Sequence, residues 1–242
     1  MRAIVAGLVI ASLSTAQVIA EPARDAISEL IPWLLREKGE LREIPFSQVI
    51  FAATGKRVLA LDSKNEADQI LIRRITAVLD EVLAAMNDPD SAVQRVPRIN
   101  EASSHFENLL REKLGAAEGL QCDFPRTTAG RIQRSGYPDL RIVEVTSNRV
   151  VYLDPKLYAA GSRESGFRTF YFEPKVATNK VTDDAVHLIV GFEHEKQDAG
   201  HWNFTRWDLV DLAHFKVRLK AEFQASNHDI YKPGAVVATS GN

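Results

Sequence analysis

The segment Gly136-Tyr137-Pro138-Asp139-Leu140-Arg141-Ile142-Val143-Glu144-Val145-Thr146-Ser147-Asn148-Arg149-Val150-Val151-Tyr152-Leu153-Asp154-Pro155-Lys156 decides the fold. Leu140 to Val145 and Val150 to Leu153 are rich in β-branched residues, and Ser147-Asn148 between them has turn chemistry. The reading is a β-hairpin. Asp139 begins its first strand, and Asp154 and Lys156 end its second. In an antiparallel pair those ends lie side by side, and residues two apart project from one strand face. Asp139, Asp154 and Lys156 can therefore converge. Pro155 removes a backbone donor between them, which favours an edge position or a local distortion.

Two carboxylates of this kind can hold a divalent cation, and a lysine beside them can steady an attacking water. Carboxylate and carbonyl oxygens suit Mg²⁺ or Mn²⁺ better than Zn²⁺. The chemistry expected is metal-assisted hydrolysis of a phosphodiester. Against it stands the bland alternative: Asp and Lys two apart are often a solvated charged pair, and Pro-Asp is often a turn.

Working outward, Ala102, Phe106, Leu109, Leu110 and Leu114 share one helical face, with Gly115 at its end. Glu107 lies on the flank of that face and is the helix acid placed to reach a site at the core's edge. Upstream, Ile27 to Leu35, Phe46 to Ala53 and Ile70 to Leu83 carry helical spacing, with Pro32 bending the first segment. Val58 to Leu61 is a possible short strand. Downstream, Phe167 to Phe172 and Val186 to Phe192 read as strands, and Trp207 to Ala225 as a final helix. The expected class is α/β (α+β): a central mixed sheet flanked by helices, with an N-terminal helical extension.

The 242 residues suit one good-sized domain, and a net charge of −2 means that any nucleic-acid surface must gather its cations locally. Cys122 is the single cysteine, so an intrachain disulfide is excluded. Arg2, an apolar run from Ala3 to Leu13, and the small residues before Glu21-Pro22 resemble an export signal over residues 1–20. An uncleaved anchor or a buried first helix are the alternatives. Export would place the protein in the periplasm or outside the cell.

Other residues invite readings of their own. Glu193, His194, Asp198 and His201 could be drawn as a metal site, but they lack a fixed ligand spacing. His187 in an apolar strand reads as a core histidine bonded to a neighbour. Phe170, Tyr171 and Phe172 could stack bases, although aromatics on a strand are more often core. Arg126, Arg131 and Arg134 precede the Pro-Asp strand and could follow a phosphate backbone.

Pro138-Asp139 followed by Asp154-Pro155-Lys156 resembles the PD-(D/E)xK nuclease superfamily, with Asp in the (D/E) position. The flanking text, Arg98 to Glu107, Gly136 to Leu140, Tyr152 to Lys156 and Asp184 to Val190, is similar to type II restriction endonucleases. The resemblance covers about 100–231, and Pro at its middle position departs from the usual pattern. It implies a restriction-endonuclease-like core over 98–242, behind a helical extension at 21–97. It also implies Asp139 and Asp154 as metal ligands, Glu107 as an auxiliary ligand, and Lys156 as the residue orienting the water. The implied cofactor is Mg²⁺ or Mn²⁺ and the substrate DNA, in its double-stranded form, with a homodimer possible. A catalytically silent relative that only binds nucleic acid or protein, and an exported envelope-associated protein, are the rival readings.

Overall fold

The computed structural model describes residues 24–37, 41–166, 169–195 and 200–240. The export segment expected over 1–20 lies outside the described residues. The described residues outside Arg42–Leu219 form a separate unit with an N-terminal helix, α1 (Arg24–Arg36), which contains Pro32.

Within the compact unit Arg42–Leu219, the order is β1 (Ile44–Pro45), α2 (Phe46–Thr54), β2 (Val58–Leu59), α3 (Glu66–Met86), a short 3-10 turn, α4 (Ile99–Ala116), β3 (Leu120–Asp123), β4 (Leu140–Glu144), β5 (Arg149–Ala159), β6 (Ala185–His194), β7 (Phe204–Asp211) and β8 (Lys216–Val217). A last short helix, α5 (Asn227–Ile230), belongs to the first unit. Local chemistry sets several boundaries. Gly55 ends α2 in the left-handed conformation, and the Asn65 side chain caps α3 by accepting from the Ala67 and Asp68 amides. The hairpin turn places Asn148 at φ 55, a conformation that asparagine tolerates better than most residues.

The main sheet has the order β2-β6-β5-β4-β3, and β7 also pairs with β6. β3, β4 and β5 form an antiparallel meander, β5 and β6 run parallel, and β7 returns antiparallel. This is a mixed sheet with helices on its faces. On one face, Leu71, Ile75, Leu79 and Val82 of α3 and Phe106, Leu110 and Leu114 of α4 share a core with Leu140, Ile142, Val151, Leu153 and Leu188. On the other, Phe46 and Ile50 of α2 pack with Tyr137, Val150, Tyr152 and Ala185.

Two expectations are corrected. The final helix from Trp207 to Ala225 is not formed: Phe204–Asp211 is strand β7, and 218–226 has no regular structure. Trp207 and Leu209 both pack against the α3/α4 core, which residues two apart do from a strand but not from a helix. The open edge of β6 supplies the ladder that a local reading of Trp207 to Ala225 could not see. The aromatic segment around Phe170 and Phe172 pairs with no strand among the described residues; its rings instead meet Phe46 edge-on at 5.2 and 5.9 Å. Within the unit Arg42–Leu219, α3 and α4 build one core.

Candidate active site

The β4–β5 ladder pairs Leu140 with Leu153. Continuing that register by one step sets Asp139 across from Asp154. Leu140 and Leu153 face α3 and α4, so alternation turns both aspartates to the opposite face, that of Tyr152. β5 does not end at Asp154–Lys156 as expected but runs on to Ala159. From Asp154 onward it pairs with β6 alone among the described residues, since the β4 ladder stops at Leu153. Pro155 thus sits where one side of the strand needs no donor, which is how a proline fits there.

Lys156 brings the cluster together. Its Nζ lies 2.5 Å from Asp154 Oδ2 and 3.8 Å from Asp139 Oδ2. Asp154 is buried and Asp139 is half-buried, following the cis Tyr137-Pro138 bond. Burial, above all, pushes the Asp139 carboxyl up to about 8. The Asp154 charge and a hydrogen bond between the two carboxyl groups push the same way, Lys156 opposes them, and Glu107 adds a smaller upward push. A buried and a half-buried carboxyl set side by side form a place where a cation is stabilising.

Glu107 is within electrostatic range of Asp139 but is not brought into the cluster. Its carboxylate accepts from Arg134 Nη2 at 2.7 Å, and α4 lies on the opposite face of the sheet from the aspartates. Among the described residues no three His, Cys, Asp or Glu side chains converge as an ion-holding group. The donor set that does converge is a pair of hard carboxylates, and it fits an ion that completes its shell with water and substrate oxygens, as Mg²⁺ commonly does.

Of the other candidates, His194 donates through Nδ1 to the Glu195 carbonyl (3.1 Å) and meets Trp202 edge-on, while Glu193 accepts from Thr205. Asp198 lies outside the described residues. His187 is the expected core histidine: its Nδ1 is 2.6 Å from the Tyr137 hydroxyl. Arg126 and Arg131 are exposed, and Arg134 also lies over the Phe124 ring at 4.5 Å.

Sequence reading missed Lys180. It is 1% exposed and donates to the carbonyls of Gly136 and Gln133, directly ahead of the Pro138-Asp139 corner. A lysine flanked by Asn179 and Val181 carries no periodic signal of burial. Arg141 was also passed over; it donates to Asp183 at 2.9 and 3.1 Å, and Asp183 in turn accepts from Tyr152.

The mixed sheet flanked by helices, with an acidic pair and lysine on its central hairpin, is a restriction-endonuclease-like fold. The model of the type II restriction enzyme MjaV family matches residues 39–234. The chain belongs to that family. The type II restriction enzyme MjaV of Methanocaldococcus jannaschii is 27% identical to it over 207 residues, spanning 81% of this chain and 89% of the relative.

Proposed function

We propose that this chain is a DNA endonuclease of the metal-dependent PD-(D/E)xK type, hydrolysing phosphodiester bonds in double-stranded DNA. The observation that carries the reading is the Lys156 ammonium lying between the Asp154 and Asp139 carboxylates. Family membership and the name of the archaeal relative support the endonuclease class.

Asp139 and Asp154 are the residues that would hold Mg²⁺ or Mn²⁺. Such an ion, when bound, supplies positive charge against the phosphate and eases deprotonation of the attacking water. Lys156 donates a hydrogen bond that orients this water toward phosphorus. Its ammonium also faces the charge that accumulates on the phosphate oxygens. Glu107 is the helix-borne auxiliary acid, within electrostatic range of Asp139. The exposed Arg126, Arg131 and Arg134 are placed to meet the DNA backbone, which positions the duplex without reading its bases. Because each chain carries one such site among the described residues, cutting both strands calls for two copies, and a homodimer is the simplest arrangement. Residues 1–20 are proposed as a cleavable export segment, which cell fractionation and N-terminal sequencing of the mature protein test directly.

The deciding experiment incubates full-length protein with plasmid DNA in Mg²⁺, in Mn²⁺ or with a chelator. Cleavage in either ion, abolished by the chelator and by Asp154→Ala or Lys156→Ala, is the expected result. Cleavage that survives both substitutions would place the site elsewhere. DNA binding without cleavage under every condition would mark the chain as a silent relative.

A further inference from the structure

We infer that Lys180 is a positioning residue of this site: its buried ammonium pins the bend that delivers Asp139 to Asp154. The inference rests on the metal-dependent reading above.

Asp139 precedes the first paired residue of β4, Leu140, so the β-ladder does not itself hold it. The residues leading to it form an irregular bend, with Gly136 at φ 79 and the cis Tyr137-Pro138 bond. Lys180 Nζ donates to the Gly136 carbonyl at 2.5 Å and to the Gln133 carbonyl at 3.1 Å, closing that bend from inside. The lysine is itself on a fixed platform. Asn179 exchanges two hydrogen bonds with Val181, and the Asn179 carbonyl accepts from the Thr128 amide at 3.0 Å. Val181 is buried in the α2-side core.

A lysine is almost never fully buried without a reason, since stripping water from an ammonium is costly. The hydrogen-bond partners of Lys180 are neutral carbonyls, so they satisfy its protons without neutralising its charge. Burial, above all, holds the ammonium below the usual lysine range; the acidic groups Asp139, Asp154 and Glu107 offset part of that cost, and Lys156 adds to it. Lys180 therefore does two things that its neighbours do not. It fixes the backbone from which Asp139 projects, and it adds a second amino group within electrostatic range of the acidic pair and Lys156. Loss of the side chain frees the bend, and the two carboxylates lose their common geometry before any ion arrives.

The test uses the full chain with Lys180→Met, which keeps length and removes the donors, and Lys180→Gln, which keeps two N–H donors. Mn²⁺ binding is measured without DNA, by the loss of free-ion paramagnetic signal, alongside the Mn²⁺ midpoint for plasmid cleavage. Supporting residues around a metal site typically change affinity by about 10- to 100-fold. Lys180→Met is expected to weaken Mn²⁺ binding by roughly that factor and shift the cleavage midpoint in parallel, with a smaller change in rate at saturating ion. Lys180→Gln is expected to fall between it and the wild type. A Lys180→Met protein that loses thermal stability but binds Mn²⁺ like the wild type overturns the inference and leaves the nuclease reading intact. A wild type that neither binds ion nor cleaves overturns both. Should neither variant fold, the wild type decides through nitrogen-labelled lysine: a slowly exchanging Lys180 ammonium supports the anchor, and a freely exchanging one overturns it.

Discussion

The hydroxyl of Tyr137 lies 2.6 Å from Nδ1 of His187, with the two rings stacked at 5.9 Å between centroids. This contact joins the residue just ahead of Pro138-Asp139 to the start of β6, so the corner that carries the candidate site is fastened to that strand. His187 Nε2 is buried without a hydrogen-bond partner among the described residues. Burial pulls the imidazole down to about 4, and it is neutral in the folded protein at physiological pH.

The Tyr137→Phe protein is expected to keep the packing of the ring and lose the hydrogen bond. A buried polar atom left without its partner costs about 1–3 kcal/mol. Urea denaturation at neutral pH reads the loss as a lower midpoint with an unchanged slope. A Tyr137→Phe protein as stable as wild type would show that the contact is not maintained in solution.

Stability of the metal-free protein should depend on pH in two opposing ways. His187 has its folded value depressed to about 4, so its contribution is present above the ordinary value of 6.5 and is lost as pH falls from there toward 4. Asp139 has its folded value raised from 3.8 to about 8, so its contribution is present below 3.8 and is lost as pH rises toward 8. The groups that face Asp139 are Asp154, Lys156, Glu107 and, behind the bend, Lys180. Each group changes the unfolding free energy by about 1.4 kcal/mol per pH unit in its window. Between about 4 and 6.5 the two nearly cancel. Above 6.5 the Asp139 slope stands alone, and the chelated protein should become less stable toward pH 8. Asp139→Asn is expected to flatten that limb in thermal melts, and Mn²⁺ should bind the wild type more tightly as pH rises through the same window.

Removal of Arg134 should reveal what its contact with Glu107 leaves available for DNA. The guanidinium is part-exposed beside the site, over Phe124. Arg134→Ala is expected to weaken binding evenly across sequences and to lower the slope of log affinity against log salt by about one. Fluorescence anisotropy with chelator present measures this without cleavage. An unchanged salt slope would remove Arg134 from the phosphate contacts.

Phe106 is fully buried between Phe192 and Phe204, at 4.7 and 4.9 Å between ring centroids. It fastens α4 to β6 and β7 together. Phe106→Ala should destabilise the unit Arg42–Leu219 by about 3–5 kcal/mol, the range for removing a buried aromatic ring. Phe223→Ala, at a residue 80% exposed, provides the control and should leave the denaturation midpoint within error.

The hairpin, the facing helix and the acidic pair with its lysine were readable from Gly136 to Lys156 and from Ala102 to Leu114. Alternation and helical spacing are local patterns, and an antiparallel ladder turns a short spacing along the chain into contact across it. Trp207 to Asp211 could not be read this way. Its apolar residues satisfy a helical spacing as well as a strand alternation, and the decision fell to the unpaired edge of β6. Nor could the partner of Glu107 be found locally, because Arg134 reaches it from 27 positions away. Lys180 meets the Asp139 corner only through the tertiary fold, where neutral carbonyls 47 and 44 positions away accept its hydrogen bonds. What the residues alone determined was the hairpin, its facing helix and the charged groups they carry. Which of them meet, and what holds them there, was decided by long-range pairing, since hydrogen-bond donors and charges withdrawn from water must find partners wherever the fold supplies them.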